Sequence, residues 1–310
     1  MKFNMNWIKK GLIFSNKGQL DWSANSALTP TPILLKGKIR VYAGFRDNEG
    51  VSRIGYIDLN PENPTEILNV SKTPVLDIGE PGTFDDNGVI LGDVVPYEDK
   101  LRMYYVGFQL VKRAKFLAFT GLAESHDNGE TFQRVYNTPV LDRSDNEHLI
   151  RAIHTVMYDE GKWKIWYASG NRWEYINGKP FPFYNIHFTE SDDGVHFNSK
   201  HQLCVDVNYP EYRIGRPRVY KLGPDKYMLF YTKGTISGEY FPGVAFSSNG
   251  IDWERHDNKL GISLSPSGWD SETLCYPSLL WYKDKVYMFY NGNNMGADGF
   301  GYAELEGGLW

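Results

Sequence analysis

Cysteine is almost absent from this 310-residue chain: Cys204 and Cys275 are the only two. Two thiols far apart in sequence are too few for a disulfide framework or a zinc site, and both read as small buried side chains. Blocks of positive charge are missing as well. Thirty-three Lys and Arg against 38 Asp and Glu leave a formal charge of −5, and no basic run exceeds a few residues, so nothing gathers a phosphate backbone and nucleic acid is not an expected partner. Long apolar runs are lacking too. The N-terminal MKFNMNWIKKGLIF has one short apolar stretch and no small-residue cleavage site, which predicts neither a membrane span nor a secretory leader and suits a soluble, cytoplasmic chain. Finally, helical spacing is not sustained. Segments such as ILGDVVPYEDKLRMYYVGF and RPRVYKLGPDKYMLFYTKG alternate apolar with polar residues over short spans, the period of strands.

What is abundant is aromatic: 21 Tyr, 17 Phe and 9 Trp, which suit half-buried strands and also offer flat faces to sugar rings. Many of them fall in a hairpin that recurs five times, as GKIRVY, DKLRMYY, GKWKIWY, DKYMLFY and DKVYMFY. The turn lysines are Lys38, Lys100, Lys162, Lys226 and Lys285, spaced by 59 to 64 residues, so one unit of roughly 60 residues repeats along the chain. A second element, ESHDNGETF, ESDDGVHF and FSSNGIDW, predicts tight turns with a glycine at positive φ and an aromatic plug. Repeated four-stranded antiparallel units around an axis make an all-β fold, a five-bladed β-propeller with a central funnel. The blades are predicted at Trp22–Asn69, Thr83–Val135, His148–Phe197, Arg213–Arg255 and Trp269–Leu305, with WIKKGLIF left over as a strand able to complete an end blade. The repeat accounts for residues 1–310 as a single domain.

The innermost strands of a propeller converge on its funnel, so aligning the repeats locates candidate site residues. Counted back from the turn lysines, one column holds Thr31, Asp93, Thr155, Arg218 and Ser278, with Arg151, His154, Arg216 and Tyr276 beside it. Charges of this kind are costly to bury unless they are paired or face a wet cavity. They read either as a polar funnel or as ion pairs tying the blades together, and the two are compatible. Two acidic segments lie just upstream of inner strands: FDDNGV with Asp85 and Asp86, and WDSETLCYP with Asp270 and Glu272. Paired carboxylates there could act as acid and base across a sugar, while Asp-Asp-Asn-Gly is equally a good turn.

The five-fold pattern, the Ser-Asp-Gly-type turns and the strand starts TPI, GDVV and YPSL resemble the five-bladed propeller glycosidases, the group that includes glycoside hydrolase families 32, 43, 68, 117 and 130. FDDNGV is similar to the phosphorylase-containing family 130, and FYNGNNMGADGFGYA to stand-alone propellers associated with bacterial polysaccharide synthesis. The resemblance to family 43 implies a base Asp, a modulating Asp and an acid Glu on the first three blades. These fall on Thr31, on Asp93 and near Ala152, so only Asp93 keeps its carboxylate. Basic groups stand where acids are missing, and guanidinium forks suit carboxylate or phosphate.

Taken together, the resemblance implies a carbohydrate-active enzyme, a hydrolase or phosphorylase acting by an inverting route on an anionic or phosphate-bearing glycan. Asp93, Glu272 and Asp86 are the acid and base candidates. Family 117 gives His154 a precedent as acid. Arg151, Arg216 and Arg218 would clamp the anion, Tyr276, Trp173, Tyr240 and Trp269 would meet sugar faces, and Asp270 would contact the ligand. The expected partner is a carbohydrate or sugar phosphate, with no membrane, metal or cofactor. The alternative is a carbohydrate-binding propeller without catalysis, which Thr31 and Ala152 favour.

Overall fold

A computed structural model describes residues 5–18, 20–197 and 200–309. The chain is all-β: among the described residues the only helices are two short 3-10 turns at Asp257–Lys259 and Asn294–Gly296. Among the described residues no helix is long and apolar enough to cross a membrane.

Strand β1 (Asn6–Phe14) precedes a series of antiparallel meanders. The first comprises β2 (Asn25–Leu35), β3 (Lys38–Arg46), β4 (Ser52–Leu59) and β5 (Ile67–Val70), and the second β6 (Val89–Tyr97), β7 (Lys100–Gln109), β8 (Leu117–Ser125) and β9 (Gln133–Arg134). The third runs through β10 (Ile150–Asp159), β11 (Lys162–Ile176), β12 (Lys179–Ser191) and β13 (Gln202–Val205). The fourth contains β14 (Glu211–Gly223), β15 (Lys226–Thr235), β16 (Tyr240–Ser247) and β17 (Glu254–Arg255). The fifth has β18 (Cys275–Tyr282), β19 (Lys285–Asn291) and β20 (Phe300–Glu306), and its fourth strand is β1, antiparallel to β20 with Trp7 opposite Leu305. Each recurring lysine opens the second strand of its meander, immediately after the hairpin turn.

The core lies between meanders, because each sheet is apolar on both faces. One buried cluster joins Tyr42 and Ile54 of the first meander to Val89 and Leu91 of the second. Equivalent clusters join the second to the third, the third to the fourth and the fourth to the fifth. Another packs Phe289 and Tyr302 of the fifth meander against Val41 and Phe45 of the first. Edge groups are shared the same way: Ile150 pairs in parallel with Ala118, and Tyr184 with Arg213.

The Ser-Asp-Gly turns are structural. Ser125, Ser191 and Ser247 accept hydrogen bonds from the amides of Gly129, Gly194 and Gly250 at 2.8, 2.9 and 2.9 Å, and those glycines have φ of 80°, 73° and 77°. Their carbonyls accept from the preceding meander: Tyr42 Oη to Gly129 at 3.0 Å, Tyr104 Oη to Gly194 at 2.8 Å and Trp166 Nε1 to Gly250 at 2.7 Å. A buried donor left without its acceptor costs about 1–3 kcal/mol, so each turn staples two neighbours. In the fourth and fifth meanders the donor position is Phe230 or Phe289, where packing alone remains. One expectation is corrected here. Cys275 is fully buried, but Cys204 is half-buried because it lies on the outermost strand β13.

Removing residues 1–15 takes away β1, whose Trp7 belongs to the core between the fourth and fifth meanders, and opens the edge of β20. A loss of at least ~3 kcal/mol, on the order of 5 °C or more in Tm, is expected from the buried side chain and the lost ladder. An unchanged melting curve for the truncated chain would contradict this role.

Candidate active site

The first strand of every meander breaks register at the same place. The irregularities fall between Leu28 and Thr31, Leu91 and Asp93, Ile153 and Thr155, Gly215 and Arg218, and Cys275 and Ser278. The bulged residues are Thr29-Pro30, Gly92, His154, Arg216-Pro217 and Tyr276-Pro277, and the aligned column of the sequence is the residue after each bulge. Proline has no amide to lose from the ladder, which suits it to a bulge. Thr29, Arg216 and Tyr276 have φ of 53°, 55° and 58°, although a residue before proline favours extended backbone. Each such conformation costs about 1–3 kcal/mol. Bulges re-aim side chains and gather near functional sites. At Gly92 the approach is tighter: a Cβ would lie 2.1 Å from the carbonyl oxygen of Ile153.

Polar groups of four inner strands meet beside these bulges. Asp93 Oδ1 accepts from Arg218 Nη1 at 2.8 Å and from the Val94 amide at 3.0 Å, and Oδ2 from the Val156 amide at 2.9 Å. Arg218 Nη1 also donates to the carbonyl of His154 at 2.7 Å. Arg216 spans the first three meanders: Nη1 donates to the Leu91 carbonyl and to His154 Nδ1 at 3.1 Å, and Nη2 to Thr31 Oγ1 at 3.0 Å and the Thr29 carbonyl at 3.3 Å. All these acceptors are neutral. Among the described residues Arg216, only 6% exposed, has no carboxylate partner, whereas Arg218 has Asp93. Among the described residues, three further polar atoms of the aligned column and its bulges are buried without a hydrogen bond: Thr29 Oγ1, Ser278 Oγ and Arg218 Nε. The cluster therefore carries a net positive charge and unused donors.

Burial, and then the charges of Arg216 and Arg218, push His154 well below the usual imidazole range. It is a neutral ring whose Nδ1 accepts from Arg216, which leaves the proton on Nε2. A neutral imidazole donates a hydrogen bond but is a poor proton donor to a leaving group, so the acid role expected for His154 does not suit this environment. Burial and the Arg218 charge likewise lower Arg216. On Arg218 burial acts in the same sense, but Asp93 and Tyr220 together outweigh it and raise the group.

The other candidate residues fall outside this cluster or at its border. Tyr276, on its bulge, is joined to Tyr240 by a 3.0 Å bond between hydroxyls, and the Arg213 guanidinium lies 4.6 Å from the Tyr240 ring centre. Tyr240 and the exposed Glu272 line a cleft of about 650 Å3 on the fourth meander. Trp269 is stacked on Tyr290 at 5.1 Å and Trp173 packs edge-on against Phe116 at 5.3 Å, so both are engaged in packing. Asp86 is held in its turn by the Gly82 amide at 2.8 Å and Asn87 Nδ2 at 2.6 Å. Asp270 is paired with Lys9 at 2.6 Å and Tyr290 Oη at 3.0 Å, and Arg151 turns away from Arg216 and Arg218 toward Glu147.

Asp270 belongs to a device the sequence reading missed. A tyrosine at one fixed position of the second strand donates to a carboxylate in four meanders: Tyr105 to Asp85 at 3.0 Å, Tyr167 to Glu147 at 2.7 Å, Tyr290 to Asp270 at 3.0 Å, and Tyr231 to Asp257. A cation completes each lock, namely Arg134, Arg151, Lys9 or Arg255. The signal was present in the sequence, since Asp85, Glu147 and Asp270 each stand eight residues before the inner column. Among the described residues, no group of three or more His, Cys, Asp or Glu is arranged to hold a metal ion.

Burial lowers His154, His187 and His201 alike. The unfolded chain takes up a proton near pH 6.5 that the folded chain refuses, so stability is full above that pH and falls below it. For His154 the loss grows steadily as the pH falls toward 5, a window in which carboxylates barely titrate. Melting temperatures should drop between pH 7 and pH 5, with a shallower slope in His154→Gln; equal slopes would contradict the assignment.

The comparisons with known proteins bear on the fold and the family. No protein-family model matches the chain. BT0996, in its complex with RGII, superposes with a TM-score of 0.74 at 17% identity over 97% of this chain and 92% of that one. A thermostable family-43 glycoside hydrolase gives 0.66 at 15% identity over 91% and 88%. A member of the family 130 mannoside phosphorylases, which contains glycoside hydrolases that target β-1,2 mannosidic linkages in Candida mannan, gives 0.65 at 17% over 97% and 94%. In sequence, the uncharacterized protein Rv1502 of Mycobacterium tuberculosis is 31% identical over 304 residues, 97% of this chain and all of Rv1502. The chain thus belongs to the family of Rv1502 and has the fold of the propeller glycosidases.

Proposed function

We propose that this chain is a carbohydrate-active enzyme, a single five-bladed propeller whose axial cluster holds the negative group of an anionic or phosphate-bearing glycan. The five meanders and the core layer between the last and the first support the blade count and the closed ring. Arg216 carries the functional reading. A buried guanidinium without a counter-charge is unfavourable in isolation even when its Nη hydrogens are all engaged by neutral acceptors, and a carboxylate or phosphate beside it would supply the missing charge. The idle hydroxyls of Thr29 and Ser278 and the idle Nε of Arg218 are donors for the same anion.

Glu272 is the carboxylate available for proton transfer. Among the described residues its side chain makes no hydrogen bond or ion pair, and it shares a cleft with Tyr240, the partner of Tyr276. Asp93 acts as a positioning residue that fixes Arg218, because both its oxygens are already occupied. The same observation favours the second reading, a carbohydrate-binding propeller without turnover, since the axial column presents no unengaged carboxylate.

Calorimetry with galacturonate and with inorganic phosphate tests the anion site. Arg216→Gln should weaken binding about 10- to 100-fold, the worth of a charge-assisted hydrogen bond; affinity unchanged by the substitution would refute the site. With aryl uronides as substrates, Glu272→Gln should lower kcat by about 100-fold or more, as expected for loss of an acid or base. Binding without turnover in the unmodified protein would establish the second reading instead.

A further inference from the structure

The lock of the third meander faces a cleft of about 900 Å3 that is also lined by Asn171, Asn185, His187 and Asp206. Its hydrogen bonds have one consistent direction. Arg151 Nη2 lies 2.9 Å from His201 Nε2 and can only donate, so Nε2 accepts and the ring proton sits on Nδ1. His201 Nδ1, 2.9 Å from Tyr167 Oη, then donates to that oxygen, and the Tyr167 proton goes to Glu147 Oε1 at 2.7 Å. The chain of donors ends on a carboxylate only 4% exposed.

The second oxygen of that carboxylate is unfinished. Among the described residues, Glu147 Oε2 is buried against Arg151 Nε at 3.2 Å without completing a hydrogen bond, and His187 Nδ1, 3.6 Å from Glu147 Oε1, completes none either. An orphaned buried acceptor costs about 1–3 kcal/mol. Arg151 already balances the charge, so the wall beside Glu147 suits neutral hydrogen-bond donors, as the Ser169 hydroxyl next to that carboxylate is, and not a cation. Ser169, Asn171 and Asn185 add neutral polar groups to the wall, while Asp142, Asp145 and Asp206 on the rim repel anions.

We propose that this cleft binds a neutral, polyhydroxylated ligand, a monosaccharide or disaccharide unit with one hydroxyl donating to Glu147 Oε2. The proposal takes its ligand class from the carbohydrate reading above, and it places a neutral sugar unit in a site separate from the anion site at Arg216. Saturation-transfer NMR with the methyl glycosides of glucose, galactose, mannose and arabinose is the test. At least one should bind at millimolar concentration, saturating phosphate should not displace it, and both Glu147→Gln and Asn171→Trp should weaken it at least tenfold. Asn171 is exposed, so the tryptophan fills the cleft without entering the core and decides the matter if the Glu147 variant does not fold. Absence of binding by all four glycosides, displacement by phosphate, or undiminished binding to Asn171→Trp would overturn the proposal. The phosphate titrations of Arg216→Gln are read separately, so failure of one site does not imply failure of the other.

Discussion

One buried guanidinium ties the centre of this protein together. Arg216 leaves a strained bulge on β14 and reaches backbone or hydroxyl oxygens of the first and second meanders and the imidazole of the third. The bulge aims it, and the neighbouring Arg218–Asp93 pair, itself anchored on the Val94 and Val156 amides, fixes the wall beside it. A structural ion pair would have brought its own carboxylate, as Arg218 does. Arg216 has only neutral acceptors, and that asymmetry is the ground on which we propose an anion site at this joint.

The outer architecture lets such strain persist. Backbone outliers of this kind cost about 1–3 kcal/mol each and survive only where their surroundings over-determine them. The apolar layers between meanders, the aromatic donors capping the Ser-Asp-Gly turns, and the tyrosine–carboxylate locks supply that determination. The locks also engage acidic residues near the inner strands: Asp85 and Asp270 hold second strands to connecting loops. In the third and fourth meanders the same device borders open clefts, so the frame shares residues with their walls.

Much of this was legible in the sequence. The lysine-aromatic hairpins marked every second strand because turn chemistry and a two-residue period are local properties. Aligning them brought Thr31, Asp93, Thr155, Arg218 and Ser278 into one column, and the structure places each just after a bulge. The bulges were only half visible, as a proline immediately before the column in TPT, RPR and YPS; Gly92 and His154 gave no such sign. Arg151 was grouped with the wrong cluster because a position three residues before His154 lies beyond the bulge, where the strand faces Glu147. The locks escaped notice since pairing an acid with a tyrosine some twenty residues later requires knowing which sheet face each occupies. Half-burial of Cys204 reflects its place on an outermost strand, which composition does not report.

The central claim, that the axial cluster is built to receive an anion, is tested most directly by crystals soaked in selenate, whose anomalous signal locates the ion without reference to any substrate. The account predicts a peak within hydrogen-bonding distance of the Arg216 guanidinium, near Thr29 Oγ1 and Ser278 Oγ. Well-ordered selenate confined to surface lysines, with the axial cluster unchanged and empty, would contradict it.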